Sequence, residues 1–254
     1  MPSELTLTPE RRGSLSVYPI EGAREFNVDA IITDRFGGVS RAPYDSLNLA
    51  THVGDRVHDV EENRRRVAAA VGVDSAHLIM MNQVHGTQVL DVETNHDDLE
   101  GDGLVTSTPG LALAILVADC VPILLIDDAS SRIGVIHAGW RGLAAGVIAS
   151  ALSHFDDPRT VHAFIGPCIS VEGYQIGPEV ATHFAAYPES VIDDVNDRSR
   201  LDLRGVTEGQ LLERGVLDQH IAHSRQSTDG GELFYSDRAE RPCGRFALVA
   251  RRSS

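Results

Sequence analysis

Three short segments of this chain set a reactive side chain directly after a run of apolar residues. They are Asn82-Gln83-Val84-His85-Gly86, Ala118-Asp119-Cys120-Val121-Pro122 and Ile136-His137-Ala138-Gly139-Trp140-Arg141-Gly142. Each apolar run reads as a strand, and a strand end is a rigid place from which to aim a ligand. The imidazoles of His85 and His137 with the thiol of Cys120 match a Cys-His₂ zinc set, whose three protein ligands leave the fourth tetrahedral position open, as catalytic zinc requires. Taken singly, a cysteine or histidine beside a strand is more often a small buried residue or a hydrogen-bonded core imidazole. The spacing between the three adds little, because it is not a compact finger pattern such as C-x₂-C.

Composition removes several chemistries. The chain has 254 residues and a formal charge of -15, which argues against nucleic acid or an anionic membrane as partner while leaving room for a local basic pocket. Every basic side chain is arginine. Without lysine there is no Schiff-base chemistry, no Walker-A loop and no protein-kinase signature. Three cysteines, Cys120, Cys168 and Cys243, show no regular spacing, so a disulfide framework is not expected and the cytoplasm is the natural compartment. Residues Met1 to Glu10 lack the apolar run of a signal peptide. The longest apolar stretch, Leu111 to Ile126, is interrupted by Asp119 and Pro122 and reads as two buried strands.

The elements that must position these residues follow from periodicity. Strands are expected at Val28–Thr33, Leu78–Met81, Leu104–Thr106, Leu113–Val117, Ile123–Ile126, Ile133–Ile136, Val161–Ile165 and Arg245–Val249. Helices are expected at Asp59–Val71, with Gly72 as its stop, at Arg141–Phe155, and near Pro178–Ala186 and Val206–Leu217. Strands cluster in the middle without regular β-α alternation. The expected fold is therefore α+β, one domain over residues 1–254 with a central mixed β-sheet and packed helices, residues 1–25 being peripheral. Arg35 and Arg141 are the candidates for holding an anionic co-substrate, because a guanidinium forks onto phosphate oxygens; surface ion pairing is the alternative for each.

Taken together, several blocks resemble one family. Gln83-Val84-His85-Gly86, Ala118-Asp119-Cys120-x-Pro122, His137-Ala138-Gly139-Trp140-Arg141-Gly142 and Ile165-Gly166-Pro167-Cys168-Ile169 are similar to the hallmark blocks of the YfiH-type laccase-domain family. Its members are also called polyphenol oxidases, multicopper oxidases or purine nucleoside phosphorylases. Thr33-x-Arg35-x-Gly37-Gly38-Val39-Ser40 with Asn48-Leu49 resembles its N-terminal block, and Phe234-x-Ser236-x-Arg238 its C-terminal one. Gln175, where the family commonly has Glu after Tyr174, and Ser227, where a Cys-Thr pair is common, depart from the pattern.

The resemblance implies zinc on His85, Cys120 and His137, which are also the expected catalytic residues. It implies phosphorolysis of adenosine, inosine, guanosine and methylthioadenosine, plus adenosine deamination, with a purine nucleoside and phosphate as partners. The two departures leave the ligand set intact and put the substrate range in question. One rival is a copper-dependent polyphenol oxidase. The eleven histidines contain no His-x-His pair, and a blue-copper centre would need an axial Met, for which Met80 and Met81 are expected to be buried in a strand; copper on the same soft ligands remains compatible. A second rival is a cysteine-type hydrolase editing peptidoglycan precursors, with Cys120 as nucleophile and a histidine as base. Cys168 reads either as a thiol supporting the ligand group from behind or as a buried structural cysteine, and no role is assigned to Cys243.

Overall fold

The computed structural model describes residues 3–94, 98–230 and 232–253. The strand Val121–Asp127 is buried along its whole length, and its alternating side chains enter two different cores. Leu124 and Ile126 face a core shared with Ile115, Phe246 and Leu248, whereas Val121, Ile123 and Leu125 pack with Leu143, Ile148, Leu152 and Leu211. A strand covered on both faces needs apolar residues at successive positions, which is why this segment reads as a continuous apolar run.

The first core lies between two sheets. One has seven strands in the order Ser3–Glu4, Ile221–His223, Val161–Ile165, Val121–Asp127, Ile133–Ala138, Gly103–Thr106, Val89–Asp91. It is mixed: Val121–Asp127 is antiparallel to both neighbours, while Val161–Ile165 runs parallel to Ile221–His223. The other has six, in the order Glu10–Arg12, Leu15–Pro19, Val28–Thr33, Phe246–Arg252, Ala112–Val117, Leu78–Ile79. The helices Trp140–Ala145, Val147–Leu152 and Leu203–Glu213 cover the outer face of the first sheet. Helix Val57–Ala70 covers the outer face of the second, with Val67 and Ala68 against Ala112, Ala114 and Leu116. The result is a single α+β domain of four layers, helix, sheet, sheet, helix.

Most expected elements are present, and the differences have local causes. Strand Val28–Thr33 has the expected bounds, and the first helix ends before Gly72, which adopts φ +72°. The helix expected over Arg141–Phe155 is two short helices, because Gly146 sits at φ +96° and breaks the ladder between them. The strand expected through Met81 ends at Ile79, so Met80 and Met81 are only half-buried. Helix Leu203–Glu213 starts earlier than its apolar pattern suggests, on the Asp202 carboxylate, which accepts a bond from the Gly205 N–H at 3.0 Å. Of the strands in the first 25 residues, Ser3–Glu4 and Glu10–Arg12 lie at sheet edges, whereas Leu15–Pro19 is paired on both sides, and Leu15, Val17 and Ile20 are fully buried. Among the described residues no helix is long and apolar enough to cross a membrane.

This layering sets a stability contrast. Leu124→Ala opens a cavity between the sheets and should cost about 2–5 kcal/mol. Gly146→Ala adds a Cβ that meets nothing within 4 Å, so its cost is backbone strain alone, roughly 1–2 kcal/mol. Urea unfolding of both variants measures the difference, and a larger loss in Gly146→Ala would contradict the assignment of Leu124 to the inter-sheet core.

Candidate metal centre

Cys120 occupies the turn by which the chain leaves the six-stranded sheet, after Ala112–Val117, and enters the seven-stranded one at Val121. The turn is tight enough to hold Asp119 at φ +93°. The Asp119 carboxylate fixes it, accepting the Thr228 hydroxyl at 2.6 Å and the Arg238 backbone N–H at 2.7 Å. His137 stands near the end of Ile133–Ala138, paired in register with Pro122, and is buried. His85 follows the short strand Asn82–Gln83 at φ +58° and is exposed. Gln83 ties this loop to the sheet by donating to the Leu116 carbonyl at 2.8 Å and accepting the Leu116 N–H at 2.7 Å.

The three expected ligands come together. One ligand atom from each of His85, Cys120 and His137 lies within 4.8 Å of the others, so the group could bind a metal ion. The imidazoles meet edge to face, with centroids 4.8 Å apart. Gly139 keeps the space open: a Cβ there would lie 2.8 Å from His85 Nδ1 and 3.0 Å from Cys120 Sγ. A thiol and two imidazoles converging on a space that even a methyl group would fill fit a soft or borderline cation.

Sequence reasoning missed the residue that organises this group. Asp102 is fully buried between Glu100–Gly101 and Gly103–Thr106. Its Oδ1 accepts the His85 backbone N–H at 2.9 Å and lies 2.8 Å from His137 Nδ1, while Oδ2 accepts the Gly86 N–H. Its carbonyl also accepts the His137 N–H at 2.8 Å. With Nδ1 engaged, Nε2 is the nitrogen His137 has left for a ligand, which is how an outer carboxylate sets the tautomer of a metal-binding histidine. The available signal was an acid flanked by glycines, Gly101-Asp102-Gly103, just before an apolar run.

Electrostatics follow this geometry. Burial pushes the Cys120 thiol up, but His137 and His85 outweigh it and bring the thiol down to about 6. Burial disfavours the His137 imidazolium, and the Cys120 and Asp102 charges reverse this, to about 9. The thiol and the His137 imidazole thus favour each other's charged form against burial.

The group opens into a cavity of about 600 Å³. Arg141 lines it, exposed, with its guanidinium 4.4 Å from the Trp140 ring centroid. Arg238 lies over Tyr174 at 5.0 Å and donates to the Gln175 carbonyl at 3.0 Å. Arg35, expected to hold an anion with Arg141, is not brought to this cavity. It is buried over Tyr235, pairs with Glu240 at 2.9 Å and donates to the Asp45 carbonyl at 3.2 Å, which ties the following loop to the C-terminal region. Met80 and Met81, expected inside a strand, line the cavity instead.

Cys168 and Cys243 are buried free thiols. Burial pushes Cys168 up to about 11, beside Arg204 at 3.7 Å, so it stays protonated near neutrality. Ser227 forms a bridge with Cys168 and Gln175 bonds Asp194, so neither departure from the family pattern touches the three ligands.

Two substitutions test the group. Cys120→Ala should lose most of the metal taken up by the wild-type chain, because the thiolate is the only anion in the set. Asp102→Asn keeps the shape but disturbs the His137 tautomer, and should weaken metal affinity about 10–100-fold in a chelator competition. Full occupancy in a folded Cys120→Ala protein would show that the metal sits elsewhere.

Comparison with known proteins agrees with the blocks that form this centre. The family model described as multi-copper polyphenol oxidoreductase laccase matches residues 29–253. A protein named purine nucleoside phosphorylase YfiH from Escherichia coli (strain K12) is 36% identical over 225 residues, covering 87% of this chain and 92% of its own. A purine nucleoside phosphorylase from Deinococcus radiodurans is 39% identical over 228 residues, covering 87% and 88%. Among solved structures, YlmD from Geobacillus stearothermophilus superposes with a TM-score of 0.91 at 30% identity, over 98% of this chain and 100% of that one. The YfiH protein of Bacillus licheniformis gives 0.88 at 30% identity, over 95% and 98%. With the family model matched over residues 29–253 and the fold shared over nearly the whole length, the chain belongs to the YfiH-type laccase-domain family.

Proposed function

We propose that this protein is a zinc-dependent purine nucleoside phosphorylase, acting on adenosine, inosine, guanosine and methylthioadenosine, with adenosine deaminase activity. One observation carries the reading. The His85-Cys120-His137 group shares its cavity with Arg141, whose guanidinium has no hydrogen bond or ion pair among the described residues. A soft cation site and an uncommitted anion donor in one pocket suit a reaction between a polar organic substrate and phosphate. The names of the relatives support the same activity.

The donor set suits zinc. When bound, zinc would act as a Lewis acid and make water a better nucleophile, which is what deamination at C6 of adenine needs. The chain's own residues do the rest. Arg141 and Arg238 hold inorganic phosphate as its oxygen bonds to C1′ of ribose, and the C1′–N9 bonding pair leaves with the purine. The Trp140 and Tyr174 rings, each already stacked on an arginine, border the space for the base. Asp102 keeps His137 from turning. The free thiols and their burial support a cytoplasmic setting.

The Cys120 thiolate beside His137, itself held by Asp102, also favours a second reading, a cysteine-type hydrolase. The two differ in their need for metal. Chelation should abolish nucleoside turnover if zinc is required, whereas a thiol hydrolase would keep its activity and lose it to iodoacetamide.

The reaction itself is tested with inosine, which has no exocyclic amine to lose. Inosine should give hypoxanthine and ribose 1-phosphate only when phosphate is present. Adenosine should give adenine by that route and inosine without phosphate. Arg141→Ala should lower the phosphate-dependent kcat/KM by about 10–100-fold and deamination much less, since a charged hydrogen bond is lost only where an anion is bound. Free ribose from inosine at the same rate in phosphate-free buffer would contradict phosphorolysis.

A further inference from the structure

The cavity carries more positive charge than one phosphate needs. Five arginines line it against three aspartates, in a chain of net charge -15. Arg241 and Arg245 share the single Asp237 carboxylate. Arg64, Arg141 and Arg238 have no carboxylate partner among the described residues. Arg64 is the costly one. It is half-buried on helix Val57–Ala70, and its single hydrogen bond runs from Nε to the Leu49 carbonyl at 2.9 Å, which leaves both terminal nitrogens uncommitted. Glu61, one turn earlier on the helix, acts on Arg64 without forming an ion pair, and burial still disfavours the guanidinium charge, so an arriving anion would stabilise it.

The three unpaired arginines fall into two groups around the ligand cluster. Arg141 stands over the Trp140 ring and Arg238 over the Tyr174 ring. Arg64 is anchored elsewhere on the wall, on the Leu49 carbonyl, whose own N–H bonds the Arg245 carbonyl. Inorganic phosphate fills the first position, and an unmodified nucleoside offers no anion for the second.

We infer that the pocket accepts purine nucleosides already carrying a 5′-phosphate, with Arg64 holding the ester phosphate on the side of the ribose remote from C1′. The inference rests on the phosphorolytic reading and extends its substrate class to nucleoside monophosphates. An oxygen of inorganic phosphate bonds to C1′ as the C1′–N9 bond breaks. The bonding pair leaves with the purine, which takes a proton from solvent, and the 5′-ester is untouched. The products are the free base and ribose 1,5-bisphosphate.

Trp140, the only tryptophan of the chain, lines this cavity and gives a binding signal independent of turnover. Fluorescence titration of the protein as purified should give a Kd for inosine 5′-monophosphate about tenfold or more below that for inosine. Arg64→Gln keeps a donor for Leu49 and should remove that preference. Arg65→Gln makes the same charge change one residue away, on a side chain paired with Glu62 and outside the cavity, and should retain it. The ratio of kcat/KM for the monophosphate over inosine should fall with the binding preference in Arg64→Gln. Equal Kd values in the wild-type protein, a preference that survives Arg64→Gln, or an enzyme that cleaves inosine but not its monophosphate would each overturn the inference. If neither compound is cleaved, phosphorolysis falls, while an Arg64-dependent preference still assigns the pocket to phosphorylated nucleosides.

Discussion

A carboxylate taken fully out of water persists only if its oxygens are met by donors, and Asp102 is met by three. The N–H groups of His85 and Gly86 and the Nδ1 of His137 converge on it, while its own carbonyl receives the His137 N–H. These contacts join two separate strand ends to the link between Glu100–Gly101 and Gly103–Thr106 that carries the acid. They hold the His85 loop in a left-handed conformation that a non-glycine residue does not adopt without support. They also decide which imidazole nitrogen His137 presents. The placement of both imidazoles of the candidate group therefore rests on this one buried acid.

The sandwich explains why the site can be built at all. Cys120 lies where the chain passes from one sheet to the other, so the thiol sits at the seam of the two sheets. His137 projects from the strand paired with the one that follows this turn. Gly139 leaves the space between them unfilled. The cavity contrasts with the acidic chain around it, since five arginines line it against three aspartates while the whole chain carries a net charge of -15.

The convergence of His85, Cys120 and His137 was legible in the sequence because each lies in a distinctive block, and most strands were legible as apolar runs. The inter-sheet strands are apolar at every position, which marks burial but not which sheet a strand joins, so the two-sheet arrangement was not legible. Asp102 escaped because its partners lie far away along the chain. Arg35 and Arg141 look alike as sequence, and only packing distinguishes them: Glu240 and Tyr235 enclose the first, and the second stands open over Trp140. The split at Gly146 turns on one backbone torsion that periodicity does not report.

The proposed binding of zinc by His85, Cys120 and His137 can be read at the metal by zinc-edge X-ray absorption on protein purified without added metal. The expected first shell has one sulfur at about 2.3 Å with nitrogen or oxygen scatterers at about 2.0–2.1 Å, and loses the sulfur in Cys120→Ser. A shell without sulfur, or one unchanged by Cys120→Ser, would contradict it.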